Sequence, residues 1–177
     1  MNNKGYLTAS DNDELYTPVY AVDPILKYIP KDKKIWCPFD KEWSAFVQSF
    51  IRGGYSVVRS HIDDGQDFFE YEPDEYDVIV SNPPFSIKDK ILERLYDLGK
   101  PFAILLPTNS IQGKARFKYF EQGIQLLCFD QRIGYHNPSD MRNTTEGSPF
   151  ATAYFCRDVL PKNLIIEKLY KYNCPLM

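Results

Sequence analysis

Apolar residues run along this chain in two rhythms. Some recur every three or four positions. Trp43, Phe46, Val47, Phe50 and Ile51 do so across residues 41–52, and Ile91, Leu92, Leu95 and Leu98 across Lys88–Leu98. That spacing predicts helices, and Gly53-Gly54 and Gly99 are placed to end them. A third helix is expected over residues 19–29, with Thr17 as its N-cap, Pro18 at its first position and a kink at Pro24. Other apolar residues form short unbroken runs: residues 34–39, 55–58, 77–81, 101–106 and 124–129. Runs without alternation of polarity fit strands of a parallel sheet covered on both faces. Residues 150–156 alternate and predict a last strand. Residues 114–122 predict a basic-aromatic helix, residues 134–148 a long polar segment, and the tail from Leu164 a further helix. Strand, helix, strand, strand, helix, strand, helix, strand describes an α/β sandwich with a mostly parallel sheet.

The 177 residues predict one domain over the whole chain, with residues 1–16 loosely ordered and no separate target-recognition domain. A formal net charge of -3 excludes a globally basic nucleic-acid binder, so such a partner needs a local patch. Four cysteines without a Cys-x-x-Cys pair, and two histidines, predict no metal site. No apolar stretch is long enough for a membrane span. A cytoplasmic setting, in a bacterium or a phage-infected cell, is expected.

The most informative stretch is Ser81-Asn82-Pro83-Pro84-Phe85, directly after the run Asp77–Val80. An amine conjugated to an aromatic ring is a poor nucleophile, because its lone pair is delocalised. Two acceptors binding its two N–H groups move the nitrogen toward tetrahedral geometry. The Asn82 side-chain oxygen and the Pro83 carbonyl can do this. The proline rings fix φ and donate nothing, which keeps the turn rigid. Phe85 offers a flat face for a flipped-out base. An ordinary Asn-Pro turn is the competing reading.

These residues resemble the Asn-Pro-Pro-[Tyr/Phe] motif of adenine-N6 methyltransferases that use S-adenosylmethionine, especially small phage and bacterial DNA enzymes. Tyr16-Thr17-Pro18 is similar to the Thr-Pro segment that precedes the cofactor domain in that family. Asp67-Phe68 resembles the segment that contacts the cofactor's adenine. Leu106-Pro107, residues 132–135 and residues 148–150 fit the family's later strands. The resemblance covers roughly residues 15–156. It implies a Rossmann-like class I methyltransferase fold with helices on both faces of the sheet and an antiparallel C-terminal strand. It implies Asn82, Pro83, Pro84 and Phe85 as catalytic residues. The implied cofactor contacts are Tyr16, Thr17, Pro18, Cys37, Pro38, Phe39, Asp40, Asp63, Asp67, Phe68 and Asn82, with Ser44 and Asp64 as rivals at two of these places. Phe85, Tyr135, Lys114, Arg116 and Arg142 are the expected substrate contacts, with Tyr135 as second face of a base sandwich. DNA is the expected partner, with RNA adenine or a protein glutamine as alternative substrates, and a homodimer or partner subunit would aid target recognition. The resemblance breaks after the first strand. Where the family carries a glycine-rich loop, this chain has residues 36–44 without glycine. A catalytically silent binding subunit with the same fold is therefore the reading from another class.

Overall fold

The computed structural model describes residues 15–176. The loose ordering expected of residues 1–14 lies outside the described residues. The elements are α1 (Val19–Leu26), β1 (Lys34–Cys37), α2 (Ala45–Arg52), β2 (Ser56–Arg59), β3 (Val78–Ser81), α3 (Lys88–Leu98), β4 (Phe102–Pro107), α4 (Phe117–Phe120), β5 (Gln125–Phe129), β6 (His136–Asn137), β7 (Asp140–Thr144), β8 (Thr152–Arg157) and β9 (Leu164–Glu167).

Seven strands form one sheet in the order β2-β1-β3-β4-β8-β5-β9. The pairs β1–β2, β1–β3, β3–β4 and β5–β9 are parallel, and β8 runs antiparallel to both its neighbours. β6 and β7 make a separate hairpin. The order reverses beside β1, since β2 lies on one side of it and β3 on the other. Sheets of this kind leave a crevice at the carboxyl ends of the strands where the order reverses.

Strand residues alternate between two cores. Ile35, Cys37, Val78, Val80, Ala103, Leu105, Tyr154 and Cys156 pack with α1 and α2 on one face. Trp36, Ile79, Phe102, Ile104, Leu106, Ala153 and Phe155 pack with Ile91, Leu92 and Leu95 of α3 on the other. Burial on both sides explains why these strands read as unbroken apolar runs.

Several expectations need correction. The N-cap of α1 is Pro18 rather than Thr17, and the helix continues through Pro24 to Leu26. Pro24 is the sixth residue of this helix, so the ring removes one backbone bond without ending the short segment. The apolar stripe of α2 does not include Ile51, which is 47% exposed. The helix expected over residues 114–122 is a 3-10 turn, Lys114–Arg116, followed by the single turn of α4. The polar segment contains the β6–β7 hairpin. The expected tail helix is β9 instead, because the free edge of β5 supplies a hydrogen-bonding ladder from Leu126–Leu164 to Phe129–Glu167. Tertiary pairing here overrides local pattern.

One hydroxyl of α1 makes two bonds to the C-terminal half, and the Tyr154 hydroxyl adds a bond to the Ala21 carbonyl. Tyr20 Oη donates to the Gly134 carbonyl and accepts from the Gly134 N–H, both at 2.9 Å. Gly134 cannot carry a side chain there, since a Cβ would lie 1.8 Å from the Thr145 carbonyl oxygen. Tyr20→Phe leaves two buried backbone groups unpaired. It is expected to lower stability by about 2 kcal/mol, read as a reduced urea midpoint with unchanged slope. An unchanged midpoint would show that the clamp contributes nothing.

Candidate active site

β1 and β3 end side by side at the crevice. Beyond β1 the chain turns through Pro38, Phe39 and Asp40, and the Asp40 N–H bonds the Ser60 carbonyl beyond β2. Beyond β3 comes Asn82. A cleft at this point is lined by Leu15, Tyr16, Thr17, Phe39, Asp40, Lys41, Trp43, Ser44, Ala45, Phe46, His61, Asn82 and Leu176.

Its floor is polar and buried. Asp40 is 6% exposed, and the Ser81 hydroxyl donates to its Oδ2 at 2.5 Å. Burial pushes the Asp40 carboxyl from 3.8 up to about 6, with the Ser81 and Ser44 hydroxyls pulling it back. No ion pair within the described residues reaches Asp40. The adjacent Lys41 is engaged with Asp63 at 2.6 Å. The buried Cys37 thiol is pushed up by burial and by the Asp40 charge.

Asn82 is fixed by its amide nitrogen, which donates to the Leu15 carbonyl at 3.2 Å. That bond assigns the amide orientation. Asn82 Oδ1 is then buried without a hydrogen-bond partner among the described residues, and so is Thr17 Oγ1. Buried acceptors are rarely left unpaired. The cleft therefore presents a carboxylate, an amide oxygen and a hydroxyl, and suits a cationic ligand rich in N–H donors.

The walls come from distant segments. Tyr16 exchanges two backbone bonds with His136, at 3.0 and 2.9 Å, tying the segment before α1 to the β6–β7 hairpin. Its ring meets Trp43 edge-on at 4.9 Å. At the end of β2, His61 Nδ1 accepts from the Asp63 N–H, which leaves the proton on Nε2. Burial holds the His61 pKa down, so the ring is neutral.

Tyr16, Thr17, Phe39, Asp40 and Asn82 thus come together from the expected cofactor set. The others stand apart from this cleft's lining. Pro18 and Cys37 are buried in the fold, and Pro38 is buried at the turn. Asp63 is paired with Lys41, while its rival Asp64 is paired with Arg59. Asp67 Oδ1 accepts from the Phe69 N–H, so its carboxylate caps its own turn. Phe68 is 2% exposed against Trp36 and Phe39. Ser44, the rival to Asp40, lines the cleft beside it. Trp43, His61 and Leu176 are lining residues that the sequence reading did not assign. Trp43 carries the same apolar signal as a core residue. His61 sits at a strand end, which was the available clue.

The substrate residues divide similarly. Pro83 is buried, and Pro84 and Phe85 are half-buried. The Phe85 ring meets Phe150 at 5.5 Å, nearly perpendicular. Tyr135 is corrected: it is 1% exposed, hydrogen-bonded to Thr152 at 2.8 Å, and shows no face to a base. It points inward with Ile133, two residues earlier. Phe150 is the aromatic neighbour that Tyr135 was expected to be. Arg116 is corrected too. Its guanidinium bonds the Ser110 carbonyl, the Gln112 carbonyl and Asp89, and is occupied internally. Lys114 and Arg142 are exposed.

No helix among the described residues is long and apolar enough to cross a membrane, and none of their His, Cys, Asp and Glu side chains form a metal-binding group. No family model and no curated protein matches the sequence. Among solved structures, the chain is similar to the methyltransferase subunit of a type I restriction-modification system from Streptococcus thermophilus. The identity is 13% and the TM-score 0.51, over 86% of this chain and 47% of that one. The chain spans about half the length of that neighbour. At this identity the likeness is one of architecture: the chain shares a Rossmann-like α/β fold with that subunit, with a mostly parallel sheet and the antiparallel strand β8.

Proposed function

We propose that the chain transfers a methyl group from S-adenosylmethionine to adenine N6 in DNA. The observation that carries this reading is Asn82 Oδ1, buried without a partner among the described residues at the end of β3, in one cleft with the Asp40 carboxylate, which no ion pair among those residues reaches. S-adenosylmethionine fits the donor-and-acceptor character of that cleft, since its methionine end carries an ammonium and a sulfonium. Asp40, Ser44 and Thr17 would hold that end, with Phe39, Tyr16 and His61 along the remainder. When bound, the cofactor supplies an electrophilic methyl group.

The chain's own residues do the positioning. The Leu15 carbonyl holds the Asn82 amide so that Oδ1 faces an incoming N–H. The Pro83 carbonyl takes the second N–H. Phe85, braced by Phe150, supports the flipped base. So held by Asn82 and Pro83, the amine's lone pair would be aimed at that methyl group, whose bond to sulfur would break as the bond to nitrogen forms. The methylated nitrogen then releases a proton to solvent. No basic side chain is needed, which matches a site whose one histidine is neutral and committed to its own loop.

The glycine-free turn at residues 38–44, with Asp67 and Phe68 off this cleft, favours a second reading as a silent binding subunit. Transfer of labelled methyl from S-adenosylmethionine to unmethylated duplex DNA, RNA and protein separates the two. Label in N6-methyladenine of DNA is expected. Label only in RNA or protein would change the substrate. No label and no cofactor-induced thermal shift would leave the silent subunit.

A further inference from the structure

Resting on this reading, we infer that Phe117 is a stacking platform for an unpaired base of the nucleic-acid substrate, with Lys114 and Lys88 contacting the adjoining phosphates. Phe117 is 65% exposed, an unusual state for a phenylalanine on an ordered turn. It is held there by construction. The preceding Arg116 folds back and donates to the Ser110 carbonyl at 2.7 Å, the Gln112 carbonyl at 2.6 Å and Asp89 Oδ1 at 2.8 Å. Gly113 makes room for this brace, because a Cβ there would lie 2.2 Å from the guanidinium.

The Asp89 bond fixes the turn against the first turn of α3, four residues after Phe85. The turn that carries Phe117 is therefore fastened to the helix that follows the catalytic segment. The local charge suits phosphate. Asp89 is neutralised by Arg116. Lys114 is exposed on the turn, three residues before Phe117. Lys88 Nζ lies 3.5 Å from the Phe85 carbonyl, placing an ammonium at the catalytic segment itself. Lys118 lies over the Tyr119 ring at 4.8 Å, with Glu93 and Asp97 of α3 nearby, and so is matched by acidic neighbours. An exposed aromatic on a turn that also carries an exposed lysine is the composition of surfaces that stack bases while tracking a backbone.

The test is fluorescence anisotropy with a labelled adenine-containing oligonucleotide, single-stranded and duplex, across a salt series. Phe117→Ala is expected to weaken single-strand binding about tenfold, with the salt dependence unchanged. Lys114→Gln is expected to reduce the salt slope by about 0.7. Tyr170→Ala removes another exposed aromatic, 72% exposed on the tail, and should change neither. All three positions are exposed, so the variants keep the core. Wild-type affinity in Phe117→Ala, with methyl transfer to nucleic acid intact, would overturn the platform and leave the proposed function standing. No oligonucleotide binding by wild type, together with no methyl transfer to DNA or RNA, would overturn both.

Discussion

Asn82→Ala is expected to lower methyl transfer about 100- to 1,000-fold, the loss typical of removing one fixed hydrogen-bonding group from a reacting centre. The argument is geometric. The amide is anchored on one side by Leu15 and buried without a partner among the described residues on the other, so alanine removes the acceptor and leaves the backbone where it was. Stability should fall by only about 1 kcal/mol, since one partly buried hydrogen bond is lost. Cofactor affinity should change far less than the transfer rate. Single-turnover transfer and a cofactor-induced thermal shift, measured on the same samples, read the two separately. Activity within tenfold of wild type would show that the amine is positioned elsewhere.

Asp40→Asn should make the protein more stable and its cleft less useful. Burial raises the Asp40 carboxyl from 3.8 to about 6, so the folded state holds the proton more tightly than the unfolded chain does. The contribution of Asp40 to stability is then greatest below about pH 4 and falls as the pH rises toward 6. At pH 7 and above, the buried charge costs about 3 kcal/mol, an amount that asparagine does not incur. The variant should gain roughly that much at pH 8 and nothing at pH 4. A cationic ligand offsets the same cost in wild type, so S-adenosylmethionine should stabilise wild type more at pH 8 than at pH 5, and stabilise the variant weakly at both. Chemical denaturation at pH 4 and pH 8, with and without cofactor, checks all of this. A pH-independent difference between the two proteins would rule out an ionised Asp40.

Much of the fold was legible because strands buried on both faces leave unbroken apolar runs. Ile79 and Val80 belong to opposite cores, yet both had to be apolar. The carboxyl-end position of Asn82 was legible for the same reason. Other features depend on partners distant in sequence. Nothing local distinguishes Tyr135, turned into the core, from Phe150, turned toward Phe85. The basic turn at residues 114–118 reads as a charged surface, but the backbone carbonyls of Ser110 and Gln112 claim Arg116 and leave Phe117 outside. The tail resembled a helix until the open edge of β5 was there to receive it. Thr17 was expected to cap a helix, but Pro18 holds the N-cap position without a side-chain cap bond, and the Thr17 hydroxyl is left beside the cleft.

The place of β8 between β4 and β5 also governs how the chain can assemble. Phe102–Pro107 and Gln125–Phe129 are separated in the sheet by Thr152–Arg157, which is made later than either. During synthesis the inner edges of β4 and β5 have no correct partner until that strand emerges. Pairing them directly with each other would be a trap, closing the sheet without its central antiparallel member. Long-range insertions of this kind slow folding and prolong the exposure of unpaired edges. Truncation before residue 152 would therefore leave two apolar edges open to other chains, and the expected product is insoluble aggregate rather than a smaller folded domain.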